Sequence, residues 1–152
     1  MGEPHSSARS QRSNLAARMV PRPIRVLIIE DSEAERYFLR RTIERCRPRC
    51  AVTEFSYAEE ALCYLRETET APPDAIFVDI NMPRMDGFAF ATEFAGLSTR
   101  LRGSAKLWIV SHSIDPLDRE QADAHPAVAG FLSKSYTRGD IERLLPSPLE
   151  GD

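Results

Sequence analysis

Acidic, hydroxyl and amine side chains follow short apolar runs of the sequence, at the points where those runs end. Glu30 and Asp31 follow the first run, and Asp79 follows the third. Ser111 follows the fourth run and Lys134 the fifth. In open parallel α/β sheets, ligands bind outside the carboxyl ends of the strands, so these five side chains are predicted to converge on one rim.

This set of side chains suits a divalent cation and a phosphoryl group. Crowded carboxylates repel one another and raise each other's pKa values, and a cation relieves that repulsion. An all-oxygen set favours a hard ion such as Mg²⁺ over zinc. A lysine and a hydroxyl can bind the remaining oxygens of a phosphoryl group. We therefore predict phosphoryl chemistry at a carboxylate, with an aspartate acting as the nucleophile.

The elements that must position these residues alternate along the chain. Strands are predicted at 24–29, 51–57, 75–78, 106–110 and 129–132. Helices are predicted at 32–46, 58–67, 88–97, 116–124 and from about 138 to before 146. The first helix starts with the capping-box signal Ser32-x-x-Glu35. Five alternating strand–helix units predict an α/β fold, a (βα)5 doubly wound parallel sheet covered on both faces.

Composition excludes several classes of protein. The chain has 152 residues, of which 42% are hydrophobic and 28% charged, as in a globular domain with a real core. No stretch approaches the roughly 20 apolar residues needed to span a bilayer. A net charge of -3 argues against a mainly nucleic-acid-binding chain. Three cysteines do not make a disulfide scaffold, so a reducing, cytoplasmic location is expected.

Charge is distributed unevenly between the two ends of the chain. Residues 1–23 hold four arginines against one glutamate and lack periodicity, which predicts a disordered basic tail. Residues 24–146 form the predicted domain, and 147–152 a short C-terminal tail. Lys106 and Lys134 are the two lysines of the sequence, so a role that needs a lysine has two candidates.

Four segments resemble the receiver domain of two-component response regulators, over about residues 24–145. The aspartate followed by x-x-Met-Pro-x-x-Asp-Gly is the most specific part of the match. The matching segments are Ile28-Ile29-Glu30-Asp31, Val78-Asp79-Ile80-Asn81-Met82-Pro83 with Asp86-Gly87, Val110-Ser111, and Phe131-Leu132-Ser133-Lys134. The resemblance implies a flavodoxin-like sheet of five strands in the order 2-1-3-4-5, as in chemotaxis receivers.

The resemblance also implies a role for each acidic residue. Asp79 would be the phospho-acceptor, and Asp31 a direct Mg²⁺ ligand. Glu30 would bind the metal through water, and Asn81 would supply a backbone carbonyl.

A phosphorylation switch follows from the same resemblance. Ser111 would sense the phosphoryl group, Lys134 would balance its charge, and Phe131 would be the switch aromatic. Phosphorylation adds about -1.5 to -2 charge and three acceptor oxygens. Movement of Ser111 and Phe131 would then bias a surface formed by the fourth predicted helix, the fifth strand and the fifth helix, which could also support a homodimer.

Three positions depart from the usual family pattern. Ser135 follows the lysine where proline is usual, so the local loop is expected to differ. His112 follows the sensing hydroxyl where a small residue is common, and Phe131 stands where tyrosine is frequent. We expect Asn81, His112 and Ser113 to modulate access of water or phosphodonor to the pocket.

The sequence as a whole is interpreted as a single-domain response regulator of a phosphorelay, since few residues follow Pro148. It would take a phosphoryl group from a sensor histidine kinase or histidine phosphotransfer protein and signal through a downstream protein, without direct DNA binding. Phosphorylation and dephosphorylation would be self-catalysed, so the chain is not expected to be an enzyme. One alternative is a Mg²⁺-dependent aspartyl-phosphate phosphatase, which Asn81 disfavours because the haloacid-dehalogenase type has an aspartate there. The other is a pseudo-receiver, an interaction domain without phosphorylation.

Overall fold

The computed structural model describes residues 22–67, 69 and 71–147. In this part of the chain the strands are β1 Arg25–Ile29, β2 Ala51–Phe55, β3 Ala75–Asp79, β4 Lys106–Ser111 and β5 Val128–Ser133. The helices are α1 Glu33–Cys46, α2 Ala58–Glu67, α3 Gly87–Ala95, α4 Thr99–Arg102, α5 Pro116–Ala124 and α6 Arg138–Leu144. The one-turn helix α4 falls between the predicted helix 88–97 and the predicted strand 106–110, where no element was predicted. None of these helices is long and apolar enough to cross a membrane.

All strand pairs of the sheet are parallel, in the order β2-β1-β3-β4-β5. The predicted fold class and strand order are therefore confirmed. The register places Ile29 opposite Val78 and Asp79 opposite Val110. Because the strands run in one direction, the residues after β1 and at the end of β3 reach the same rim.

The sheet is buried on both faces, as the apolar runs predict. Leu27 and Ile29 pack with α2 and α3 on one face, whereas Val26 and Ile28 pack with α1 and α6 on the other. Every residue of β3 is buried. This two-sided core fixes the strand ends that carry the candidate site.

The Asp-Gly pair after β3 shapes the loop that follows Asp79. Asp86 caps α3 by accepting a hydrogen bond from the Ala89 N–H at 2.8 Å. The Gly87 N–H donates to the Ile80 carbonyl at 3.0 Å. A Cβ at Gly87 would lie 2.5 Å from the Asp79 carbonyl oxygen, so only glycine permits this close backbone approach.

The predicted tails 1–23 and 147–152 lie almost wholly outside the described residues. At the inner end of the first, Arg22 pairs with Asp74, with Nη2 and Oδ1 2.8 Å apart. The three cysteines are free thiols.

Candidate phosphorylation and metal site

Three carboxylates meet at the carboxyl ends of β1 and β3. Glu30, Asp31 and Asp79 each offer an oxygen within 4.8 Å of the others. Glu30 and Asp79 are buried, and among the described residues no N–H group donates to the buried Oε2 of Glu30. Burial raises the pKa of Glu30 to about 9, and the neighbouring carboxylates of Glu35 and Asp79 add to this rise. An orphaned buried oxygen in an all-oxygen cluster fits a hard cation such as Mg²⁺.

Lys134 reaches this cluster from the loop after β5. Its Nζ lies 2.9 Å from Oε1 of Glu30 and 3.3 Å from Oδ2 of Asp79. Its backbone N–H donates to the Ser111 carbonyl at 2.9 Å, which fixes the loop against the end of β4. Burial disfavours the ammonium charge, but hydrogen bonds to Glu35 and Glu30 outweigh it and raise the pKa of Lys134 above its usual value. The predicted convergence of lysine and acids is therefore present.

Ser111 ends β4 and is fully buried. Its Oγ accepts a hydrogen bond from the Ser113 N–H at 3.0 Å. The hydroxyl of Ser113 in turn donates to Oδ2 of Asp118, on α5, at 2.5 Å. In this arrangement a two-step hydrogen-bond path joins Ser111, the predicted sensing residue, to α5.

Phe131 lies on β5 and is half-buried against the core. The guanidinium of Arg119, on α5, lies 5.1 Å from the centroid of its ring. The predicted switch aromatic therefore contacts the same helix that the path from Ser111 reaches.

Asn81 is exposed, in the loop after β3. Its backbone N–H lies 3.4 Å from Oδ1 of Asp79, and the Ile80 N–H donates to the Val110 carbonyl at 3.3 Å. Farther along, Arg84 has a positive φ of 71°. The structure thus places the Asn81 backbone beside the predicted phospho-acceptor.

Two of the family departures can be located directly. The peptide bond between Lys134 and Ser135 is trans, and the Ser135 N–H donates to Oγ of Ser133 at 3.1 Å. Lys134 reaches the acids in this geometry. The side chain of His112 is 67% exposed, and its Nε2 contacts a carboxylate oxygen of Glu35. It therefore stands at the mouth of the pocket.

Glu35 is the site residue that sequence reasoning missed. Half of the expected capping box forms, since Oγ of Ser32 accepts the Glu35 N–H at 3.3 Å. The other half, a bond from the Glu35 side chain back to the Ser32 backbone, is wrong. The Glu35 carboxylate instead lies 2.5 Å from Nζ of Lys134 and also contacts His112. A hydrogen bond with Glu30 lowers the pKa of Glu35 to about 2, and those with Lys134 and His112 contribute further. Its position could have been found from the sequence, because Glu35 lies in the first turn of a helix that begins directly after Asp31.

A cavity of about 190 Å³ adjoins the pocket beneath α1. Its apolar wall consists mainly of side chains from α1, the central strands and the loop after Lys134, and includes Phe38, Leu39, Phe77, Val110 and Tyr136. Glu30, Glu35, Asp79, His112 and Lys134 form its polar end. The acidic site therefore lies at the border between solvent and a packed apolar interior.

The parallel sheet and its acid–lysine pocket define the class of protein. A model of the response regulator receiver domain matches residues 26–145. The chain therefore belongs to the response regulator receiver family of two-component signalling, and the resemblance noted from the sequence is confirmed. Receiver domains bind Mg²⁺ at an acidic pocket, which corresponds here to the carboxylate cluster.

Individual relatives agree with this assignment. The chain is 35% identical over 86 residues to the sensor histidine kinase CheAY of Helicobacter pylori, an alignment covering 55% of this chain and 10% of that protein. A response regulator receiver protein from Dyadobacter fermentans is similar with a TM-score of 0.69 and 26% identity, over 82% of this chain and 99% of that one. A two-component response regulator from Cytophaga hutchinsonii gives a TM-score of 0.70 and 28% identity, over 81% and 94%.

Proposed function

We propose that this receiver accepts a phosphoryl group on Asp79 from a sensor histidine kinase or a histidine phosphotransfer protein. The observation that carries the proposal is one pocket in which Lys134 Nζ lies 3.3 Å from Asp79 Oδ2, and in which the carboxylates of Glu30 and Asp31 adjoin that residue. The signal then passes to a downstream protein in the cytoplasm, through contacts that depend on phosphorylation and without direct DNA binding.

The residues present fit Mg²⁺. Asp31 and Asp79 would bind it through carboxylate oxygens, Asn81 through its backbone carbonyl, and Glu30 through a water. When bound, the cation neutralises charge on the carboxylates and on the incoming phosphoryl oxygens.

The reaction is a displacement at phosphorus. A carboxylate oxygen of Asp79 forms the new P–O bond while the P–N bond to the donor histidine breaks, and its electron pair stays on the imidazole nitrogen. Lys134 is placed to hold a phosphoryl oxygen through its charged Nζ. Water later attacks the same phosphorus and releases inorganic phosphate from Asp79. No separate substrate is turned over, so we regard the chemistry as self-catalysed rather than enzymatic.

The hydroxyl of Ser111 supports a switch. It accepts a hydrogen bond from Ser113 here, and we infer that it turns to donate to the phosphoryl group, a charged acceptor. That movement would disturb the Ser113–Asp118 bond and the packing of Phe131 under Arg119. The output surface would then be the α5–β5–α6 face, through which a downstream protein or a second copy could bind.

Access to Asp79 is set by side chains around the mouth. Asn81 and His112 are exposed there, and Ser113 follows in the same loop. We expect them to tune how fast donor and water reach the phosphorus, and so the lifetime of the signal.

The test is phosphorylation by a small donor. Incubation with acetyl phosphate and Mg²⁺ should add one phosphoryl group, seen by intact-mass spectrometry, and should change the fluorescence of Trp108, on β4. Asp79→Asn should take none, whereas the control Asp74→Asn should behave as the parent. Equal labelling of Asp79→Asn and the parent would overturn the proposal. A correctly folded parent that takes no label with Mg²⁺ would favour the pseudo-receiver alternative.

A further inference from the structure

All three N–H donors of the Lys134 ammonium face carboxylates. Nζ lies 2.5 Å from Glu35 Oε2, 2.9 Å from Glu30 Oε1 and 3.3 Å from Asp79 Oδ2. The shortest of these contacts is to Glu35, and the longest is to the phospho-acceptor. The Lys134 side chain is 9% exposed, so it has little access to water as an alternative partner.

Glu35 also adds charge to the pocket. Asp31, Asp79 and Glu35 are three acids beside the one positive charge of Lys134. A phosphodonor is itself an anion, so each uncompensated carboxylate near Asp79 opposes its approach. Glu35 is 34% exposed and lies beside His112 at the mouth of the pocket.

We propose that Glu35 is a positioning residue that competes with the phosphoryl group for Lys134 and thereby restrains phosphorylation of Asp79. In the unphosphorylated chain it holds the ammonium toward α1 and keeps a negative charge at the entrance. Phosphorylation requires Lys134 to exchange its Glu35 contact for a phosphoryl oxygen. The inference rests on the proposed function, because it concerns the same reaction.

The reaction used for the test is transfer from acetyl phosphate. The Asp79 carboxylate forms a bond to phosphorus, the bond between phosphorus and the acetate oxygen breaks, and acetate leaves with its electron pair. Saturating Mg²⁺ is used throughout, so that a change in metal affinity does not enter the measured rate.

The variant is Glu35→Gln, which keeps the shape of the side chain and removes its charge. We expect the initial rate of phosphorylation at low salt to be roughly three- to tenfold higher than in the parent. Removal of one unit charge a few ångströms from an anionic reactant has an effect of this size in water-like surroundings. In 1 M NaCl the ratio should fall, because the charge of Glu35 at the entrance is screened when the Debye length shrinks to about 3 Å, whereas the part carried by the Lys134 contact should persist. A purely structural role would not give a ratio that depends on salt.

Matched variants separate the explanations. Glu33→Gln removes an exposed acid from the same helical turn and should stay within about twofold of the parent, because solvent and salt screen exposed charges. Glu35→Asp keeps the charge and should remain closer to the parent than Glu35→Gln does. In a His112→Ala background the effect of Glu35→Gln should persist, since the Lys134 contact carries it.

The outcomes are distinct. A parent labelled on Asp79, with Glu35→Gln equal to the parent or slower, overturns the inference and leaves the proposed function standing. Equal acceleration by Glu33→Gln, or loss of the effect in the His112→Ala background, also overturns it. If circular dichroism shows that Glu35→Gln does not fold, Glu35→Asp replaces it. The phosphorylation rate of Glu35→Asp should depend on salt as the rate of the parent does, and a different dependence contradicts the inference. An unlabelled parent overturns both proposals.

Discussion

Gly87→Ala tests the link between the Asp-Gly motif and the position of Asp79. The added Cβ would lie 2.5 Å from the Asp79 carbonyl oxygen and 3.1 Å from the Ile80 Cα, both backbone atoms. Neither atom can rotate away as the end of a flexible side chain could. The loop after β3 or the N-terminus of α3 must therefore shift.

The expected cost follows from this crowding. Overpacking of a well-packed site destabilises by about 1–3 kcal/mol, or roughly 3–12 °C in Tm for a domain of this size. The matched control is Gly96→Ala at the end of α3, where the nearest atom would be the Glu93 carbonyl at 3.4 Å and φ is an ordinary -81°. That variant should be neutral, or more stable by up to about 1 kcal/mol.

Thermal and urea unfolding of the parent and both variants measure the cost. Phosphorylation from acetyl phosphate should also slow in Gly87→Ala, because the crowded atom belongs to Asp79 itself. A Gly87→Ala protein as stable as the parent, with unchanged phosphorylation, would refute the close approach of these two backbone segments. Equal losses in both variants would show that the cost is not specific to this contact.

Two further predictions concern stability. Arg47 is buried, and its guanidinium binds Glu142 at 2.5 Å and the Pro146 carbonyl at 2.9 Å. Arg47→Ala should therefore lower the free energy of unfolding by about 2–4 kcal/mol. The control Arg143→Ala removes an exposed side chain and should lower it by less than about 0.5 kcal/mol. Urea titrations check this, and equal effects would contradict it. Because the pKa of Glu30 rises from 4.5 to about 9 on folding, metal-free stability should fall as pH rises through that window. The test is the free energy of unfolding at about pH 5, 7 and 9. Glu30→Gln should show a smaller decrease with pH than the parent, and added Mg²⁺ should reduce the decrease in the parent.

The strand ends of the site could be predicted because they depend on local pattern. Short β-branched runs identify β1 and β3, and the parallel order then places Asp31 and Asp79 at one rim. The Met-Pro and Asp-Gly positions after Asp79 identified the family. The strand order and the family are confirmed, and the roles of the individual residues stay predictions.

Other features depend on contacts that the local pattern does not contain. The capping-box rule predicts that Glu35 bonds within its own helix, but Lys134, 99 residues later, offers a charged partner. Helix α4 has four residues, too few for a helical period to be recognised. The path from Ser111 to Asp118 likewise depends on how the loop after β4 closes on α5.

The most direct measurement of the central claim is chemical trapping of the phosphorylated residue. After incubation with acetyl phosphate and Mg²⁺, borohydride reduces an aspartyl phosphate to homoserine, which peptide mass spectrometry can locate. We expect homoserine at position 79, dependent on Mg²⁺ and weaker in Lys134→Ala than in the parent. Homoserine at Asp31, Asp74 or Asp86 in place of Asp79, or none in a folded protein, would contradict the account.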